Sequence, residues 1–98
     1  MLSIYNILGY KIYFSSDRLG EPIHVHICKG IPKPNATKIW ITSRGGALLC
    51  NNKSGIPLKD LNKILSFIER NKQGITKLWM RCLVVFHIIV KYLYNFEK

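Results

Sequence analysis

The sequence predicts one small α+β domain, in which an antiparallel meander of three or four strands has one face covered by two C-terminal helices. Its 98 residues, 48% of them hydrophobic, are enough for one hydrophobic core. Short alternating apolar and polar runs fill the first half of the chain, and a helical apolar pattern begins near residue 57. No repeat or second domain is evident. We therefore expect a single domain over residues 1–98, with an apolar C-terminal extension at 82–98.

Alternation with period two predicts the strands, and clusters of glycine, proline and polar residues separate them. The runs cover residues 10–15, 22–29, 36–42 and, after a turn at 43–46, 47–50. Short connections favour antiparallel pairing of neighbours. One apolar face is then expected to meet the helices, and it is formed by Ile12, Phe14, Ile23, Val25, Ile27, Ile39 and Ile41.

Two helices are predicted after the strands. Pro57 suits the first helical position, where its missing N–H costs nothing. An apolar stripe at helical spacing follows, formed by Leu58, Leu61, Ile64, Leu65 and Ile68. Residues 71–74 are predicted to break this helix, and a second begins near Ile75. We expect Trp79, on the second helix, to pack in the core.

The charge balance favours an anionic partner. Lys and Arg total 15 against five acids, which gives a net charge of +10. The charge is spread along the chain, with no block of like charges that would indicate a basic tail. Nucleic acid, an acidic protein or a membrane surface would each be attracted to such a protein.

The cysteines and the apolar C-terminal run bear on the compartment. Cys28, Cys50 and Cys82 form no CxxC pair, which argues against a disulfide scaffold or a zinc ribbon and favours a reducing cytoplasm. The N-terminus has no secretion signal. The uninterrupted apolar run at 82–90 is too short for a membrane span, which needs about 20 residues. It is expected to form a buried helix or a contact in a homo-oligomer.

The strand at residues 22–29 carries the candidate chemistry. His24, His26 and Cys28 alternate with apolar residues, so they are expected to share its polar face. Histidine can act as acid or base near neutral pH, and a cation such as Lys38 can stabilise a charged phosphorane. His24, His26 and Lys38 are therefore the catalytic candidates, although the sequence leaves open whether any reaction occurs.

Two other interpretations of this face stay open. Cations and aromatic rings interleave there, and Lys11, Tyr13, Lys38 and Trp40 are the nucleic-acid-binding candidates, unless the two aromatic rings pack under a helix instead.

Alternatively, the histidines hold a divalent transition metal with Cys28 and with Glu21 or Asp17 from the preceding loop. A two-histidine motif is unspecific, so His24 and His26 are equally compatible with purely structural roles, and no cofactor is our first expectation.

Several segments together resemble one protein family. They are Gly9–Phe14 (GYKIYF), Glu21–His26 (EPIHVH), Ala36–Ile41 (ATKIWI), the helix at 58–64 and Trp79. They resemble a family of short prokaryotic proteins classed as a domain of unknown function, with a Gly-x-x-Ile-x-x-Phe strand and a Pro-Pro-His-x-His signature. The resemblance covers roughly residues 7–80. This chain departs from it at Ile23, where the second proline is usual, and in its longer, more apolar segment after Trp79.

The resemblance implies a small α+β domain and a gene pair of the toxin–antitoxin type, but no activity. Together with the charge, it leads us to expect a component of such a module that binds a small acidic protein and RNA or DNA. The alternatives are a metal-binding protein that uses the His24/His26 strand, and a structural adaptor that oligomerises through its C-terminal apolar helix.

Overall fold

The protein forms an α+β domain built on a five-stranded antiparallel meander. The computed structural model describes residues 2–15, 21–44 and 46–82. Its strands are β1 (Leu2–Ile7), β2 (Tyr10–Phe14), β3 (His24–Lys29), β4 (Thr37–Ile41) and β5 (Ala47–Asn51). They lie in the sheet in sequence order, so each strand pairs with its neighbours in the chain. The predicted class and the meander are confirmed, and β1 is the strand that the prediction lacked.

A tight turn joins β1 to β2. Ile7 pairs with Tyr10, so only Leu8 and Gly9 connect the strands. Both have positive φ, 54° for Leu8 and 81° for Gly9. Positive φ at both central residues is the signature of a type I′ turn, whose twist matches that of the paired strands. Glycine adopts this conformation freely, whereas Leu8 is held in a region that non-glycine residues rarely occupy.

The predicted apolar face of the sheet forms the core. Its strand residues are fully or nearly fully buried, and Ile23 is partly buried against them. The helices, together with Ile56 just before them, contribute the rest of the same cluster, namely Leu61, Ile64, Ile68, Ile75 and Trp79. Burial of this apolar surface is the main force that holds the helices to the sheet.

The helices differ from the prediction at their ends. The first, α1, runs over Leu58–Arg70, and Pro57 precedes it as the N-cap. Leu58 is 71% exposed, because the apolar stripe turns toward the sheet only from Leu61 onward. The predicted break at 71–74 is a single residue in the structure, Asn71, and residues 72–82 are helical. A Cβ at Gly74 would lie 3.1 Å from the Tyr5 hydroxyl, so this glycine permits close helix–sheet packing instead of ending a helix.

The beginning of α1 is tied to the sheet by a partly buried hydrogen bond. The Tyr10 hydroxyl donates to Asp60 Oδ2 at 3.1 Å, and the Lys29 ammonium lies 5.2 Å from the centre of the Tyr10 ring. Burial raises the pKa of Tyr10 above its ordinary value, and the hydrogen bond and the negative charge of Asp60 raise it further. The neutral phenol is therefore the form that stabilises the fold.

Replacing Tyr10 by phenylalanine is expected to make stability less sensitive to alkaline pH. Because the folded-state pKa is raised, the contribution of Tyr10 is complete below the ordinary tyrosine pKa of about 10 and is lost as the pH rises through the folded-state value. At pH 8, Tyr10→Phe should cost about 1 kcal/mol through the lost hydrogen bond. Urea unfolding at pH 8 and pH 11 measures both effects. A gap between the two proteins that stays constant over this range would contradict the assignment.

No helix in the described ranges is both long and apolar enough to cross a bilayer. The apolar extension proper, from residue 83 onward, lies outside the described residues, and so does the oligomer contact expected of it.

Candidate functional site

The sequence-predicted candidates lie on the sheet face opposite the core. Tyr13 pairs with His26, and His26 pairs in turn with Lys38 on the next strand. Directly paired residues of antiparallel strands point to the same side, so this polar face continues across β2, β3 and β4. It carries Lys11, Tyr13, His24, His26, Cys28, Lys38 and Trp40.

His24, the first residue of β3, is fully buried and held by its neighbours in the chain. Its Nδ1 lies 2.9 Å from the Pro22 carbonyl oxygen. A carbonyl oxygen can only accept, so Nδ1 carries a hydrogen and donates it. The other nitrogen, Nε2, lies 3.5 Å from Glu21 Oε2. Nε2 is therefore the nitrogen that faces the Glu21 carboxylate.

Glu21 joins two basic groups. Lys38 Nζ donates to both carboxylate oxygens, at 3.3 and 3.2 Å, while His24 faces the same carboxylate. Lys38 Nζ also lies 4.3 Å from the centre of the Trp40 ring, in a cation–π contact. Only 15% of the Lys38 side chain is exposed, against 37% for Glu21. Lys38 is therefore already engaged by a carboxylate and a ring, which reduces its availability to an external phosphate.

His26 is half-buried and contacts rings and a hydroxyl. Its Nε2 lies 3.0 Å from Ser15 Oγ. The Tyr13 ring stacks on it at 5.6 Å, and the His24 ring meets it edge-on at 5.1 Å. Two imidazoles, a carboxylate and an ammonium thus lie side by side, which is a set of groups able to transfer protons.

Trp79 links this cluster to the core. Its ring is 2% exposed and lies 5.3 Å from Phe14 and 5.2 Å from His24, both measured between ring centres. Phe14 ends β2 and His24 begins β3, so Trp79 packs at the end of the sheet where these strands meet. The predicted core position is confirmed. The contact with His24 joins residues far apart in the chain, and no local pattern signals it.

Burial limits what the polar face can offer to nucleic acid. Tyr13 is 4% exposed and forms a small buried cluster with Cys28 and Ala36. A ring so enclosed presents no face on which a base can stack. Lys11 and Trp40 are half-buried. The face as the structure has it is thus a packed surface and not an open platform.

The residues considered for a metal do not converge. In the ranges that the structure describes, no three His, Cys, Asp or Glu side chains are grouped so that they could hold a metal ion. The Cys28 thiol is buried and directed toward the Gly30 carbonyl oxygen, at 3.9 Å. Asp17, the other loop ligand considered, lies outside the described residues.

Each acidic side chain in the described ranges has a hydrogen-bond or ion-pair partner within the protein. Glu21 pairs with Lys38, and Asp60 accepts the Tyr10 hydroxyl hydrogen. Glu69 Oε1 accepts from the Ala47 N–H, at 3.2 Å. Since the chain has 15 Lys and Arg, most of the cations have no carboxylate to neutralise them.

Fold and surface thus define a small basic α+β domain, with a histidine-bearing central strand. A family profile described as a domain of unknown function (DUF4160) matches residues 9–80, and the chain belongs to that family. The match confirms the resemblance drawn from the sequence, although this chain has one residue, not two, between Ile12 and Phe14. No curated protein and no solved structure matches the chain.

Proposed function

We propose that this protein binds nucleic acid through its basic surface, as one component of a two-gene module of the toxin–antitoxin type. Its counterpart in the module is a small acidic protein, and both act in the cytoplasm. The observation that carries the proposal is the uncompensated positive charge, +10 over 98 residues, with each described carboxylate engaged by a group of the protein itself.

Such a surface binds a polyanion by releasing the counterions condensed on it. Each phosphate that a lysine or arginine neutralises adds to the affinity and makes it more sensitive to salt. The interaction requires no base recognition, which suits a surface whose Tyr13 ring is enclosed. The same charge attracts an acidic protein, and complementary charge would speed the association of the two products of a gene pair.

Wild-type protein is expected to bind single-stranded RNA or DNA with an affinity that falls about tenfold or more between 50 and 200 mM salt. Fluorescence anisotropy of a labelled oligonucleotide measures this dependence. The matched control is a peptide nucleic acid of the same base sequence, which has no phosphates and should not bind. Equal binding of this analogue, or affinity that does not change with salt, would refute nucleic-acid binding through the basic surface.

A second arm of the same assay concerns the partner. The product of the neighbouring short gene, added at increasing concentration, is expected to displace the oligonucleotide, because both ligands need the same positive surface. The module interpretation is wrong if the product of the neighbouring gene does not bind this protein and deletion of that neighbouring gene does not affect growth.

A further inference from the structure

An open groove lies between the β4–β5 turn and the beginning of the second helix. Its volume is about 400 Å³, and none of the described residues that line it is acidic. Three cations line it, Arg44 from the turn and Lys72 and Lys77 from the helix, together with three hydroxyl-bearing residues, Thr42, Ser43 and Thr76. The groove thus combines positive charge with hydrogen-bond donors from two separate elements.

The turn side of the groove is fixed by two hydrogen bonds. The Thr42 N–H donates to the Gly46 carbonyl oxygen, and the Gly46 N–H donates to Thr42 Oγ1, both at 2.9 Å. These bonds close the turn and leave Ser43 and Arg44 exposed at its tip. The guanidinium is therefore presented from a closed turn, and its planar donors match a phosphate.

The helix side presents its polar residues in pairs. Lys72 and Thr76 are four residues apart, and so are Gln73 and Lys77, so each pair lies along one side of the helix. These side chains meet the turn from the opposite wall of the groove.

In the part of the chain that the structure describes, the three cations of the groove have no side-chain partner that would compete with a bound anion. Within the described residues, neither a hydrogen bond nor an ion pair ties Arg44, Lys72 or Lys77 to another side chain. The nearest acid in the sequence, Glu69, has its carboxylate bound to the Ala47 N–H. The groove is therefore a cluster of three positive charges that no ion pair among the described residues compensates.

We propose that this groove binds the phosphodiester backbone of nucleic acid, an inference that rests on the proposed function and assigns it to one place. Three cations and three hydroxyl-bearing residues suit phosphate oxygens, and the groove is open to solvent, so a chain can lie along it. No aromatic side chain is among the described residues that line the groove, so we expect it to contact phosphates and not bases, independently of sequence.

The test compares two variants with the same net charge. Arg44→Gln/Lys72→Gln/Lys77→Gln empties the groove of charge, whereas Lys33→Gln/Lys53→Gln/Lys59→Gln removes three exposed lysines elsewhere. Labelled single-stranded RNA and DNA of one mixed sequence are titrated with wild type and with both variants, over a range of salt concentrations. Circular dichroism checks folding, and the single variant Arg44→Gln, at the tip of an exposed turn, replaces the triple variant if that one is less stable.

The groove variant is expected to bind about 100-fold more weakly at 0.1 M salt, with the slope of log affinity against log salt reduced by about 2. The single Arg44→Gln variant should lose about fivefold. The control variant should lose less than about fivefold through its lower net charge alone. RNA and DNA are expected to respond alike, because both offer the same phosphates.

Three other outcomes would overturn one or both of the proposals. Equal weakening by both triple variants overturns the groove assignment while nucleic-acid binding itself stands. Absence of binding by wild type overturns both proposals. In the third outcome, wild type binds a polyglutamate peptide and not the oligonucleotides, and only the groove variant loses that binding. This result would assign the groove to an acidic protein segment and overturn its assignment to nucleic acid.

Discussion

Replacing Trp79 by alanine is expected to lower the free energy of unfolding by about 3–5 kcal/mol. The ring is 2% exposed and fills the space between Phe14 and His24. Its removal leaves a cavity at the end of the sheet and takes away two edge-to-face ring contacts. A loss of this size approaches the whole stability of many small domains. It should be measured by urea unfolding followed by far-UV circular dichroism, because Trp79 is one of only two tryptophans that report by fluorescence.

The neighbouring residue provides the control. Met80 is 53% exposed, so Met80→Ala is expected to change stability by no more than about 0.5 kcal/mol. If Trp79→Ala is unfolded, Trp79→Phe keeps a ring against Phe14 and should lose less. Similar losses for Trp79→Ala and Met80→Ala would show that Trp79 does not pack in the interior.

Replacing Asn52 by alanine is expected to cost about 2–3 kcal/mol, somewhat less than the loss of the Trp79 ring. Its Oδ1 accepts hydrogen bonds from the Thr37 hydroxyl, at 2.8 Å, and from the Ile56 N–H, at 2.9 Å. Its Nδ2 donates to the Ile56 carbonyl oxygen, also at 2.9 Å. Thr37 is fully buried, and its single hydrogen goes to Asn52, so Ser54 must donate to Thr37 Oγ1. One amide thus anchors the chain between β5 and α1 to the sheet.

Asn62 on α1 is the matched control, since it is an exposed asparagine in the same part of the chain. Asn62→Ala is expected to stay within about 0.5 kcal/mol of wild type in urea unfolding. An Asn52→Ala variant as stable as Asn62→Ala would mean that these hydrogen bonds contribute no net stability.

Local periodicity explains why much of the site could be predicted. The alternation around His24 and His26 has period two, and that period depends only on neighbouring residues. The same reasoning assigned Val25 and Ile27 to the core, where they are fully buried. Even the joint placement of Tyr13, His26 and Lys38 followed from alternation, once short connections had indicated antiparallel neighbours.

What was missed depends on backbone conformation or on contacts between distant parts of the chain. The turn before β2 uses Leu8 at positive φ, without the Asn-Gly or Asp-Gly pair that usually signals such a turn. Gly74 resembled a helix breaker, although it lies inside a helix where the Tyr5 hydroxyl comes close. The groove needs Arg44 and Lys77 on facing walls, and sequence spacing does not predict that approach.

The meander has a consequence for synthesis of the chain on the ribosome. Each strand finds its partner immediately before or after it in the sequence, so β1 to β4 can pair as they emerge. Their apolar face, however, is covered by residues between Leu61 and Trp79, which are made later. At ordinary translation rates, the sheet would wait about 2–8 s for Trp79 after Ile41 is added. During that interval the nascent protein exposes the apolar face of its sheet. This is the stage at which chaperones or a co-translated partner would have the largest apolar surface to cover.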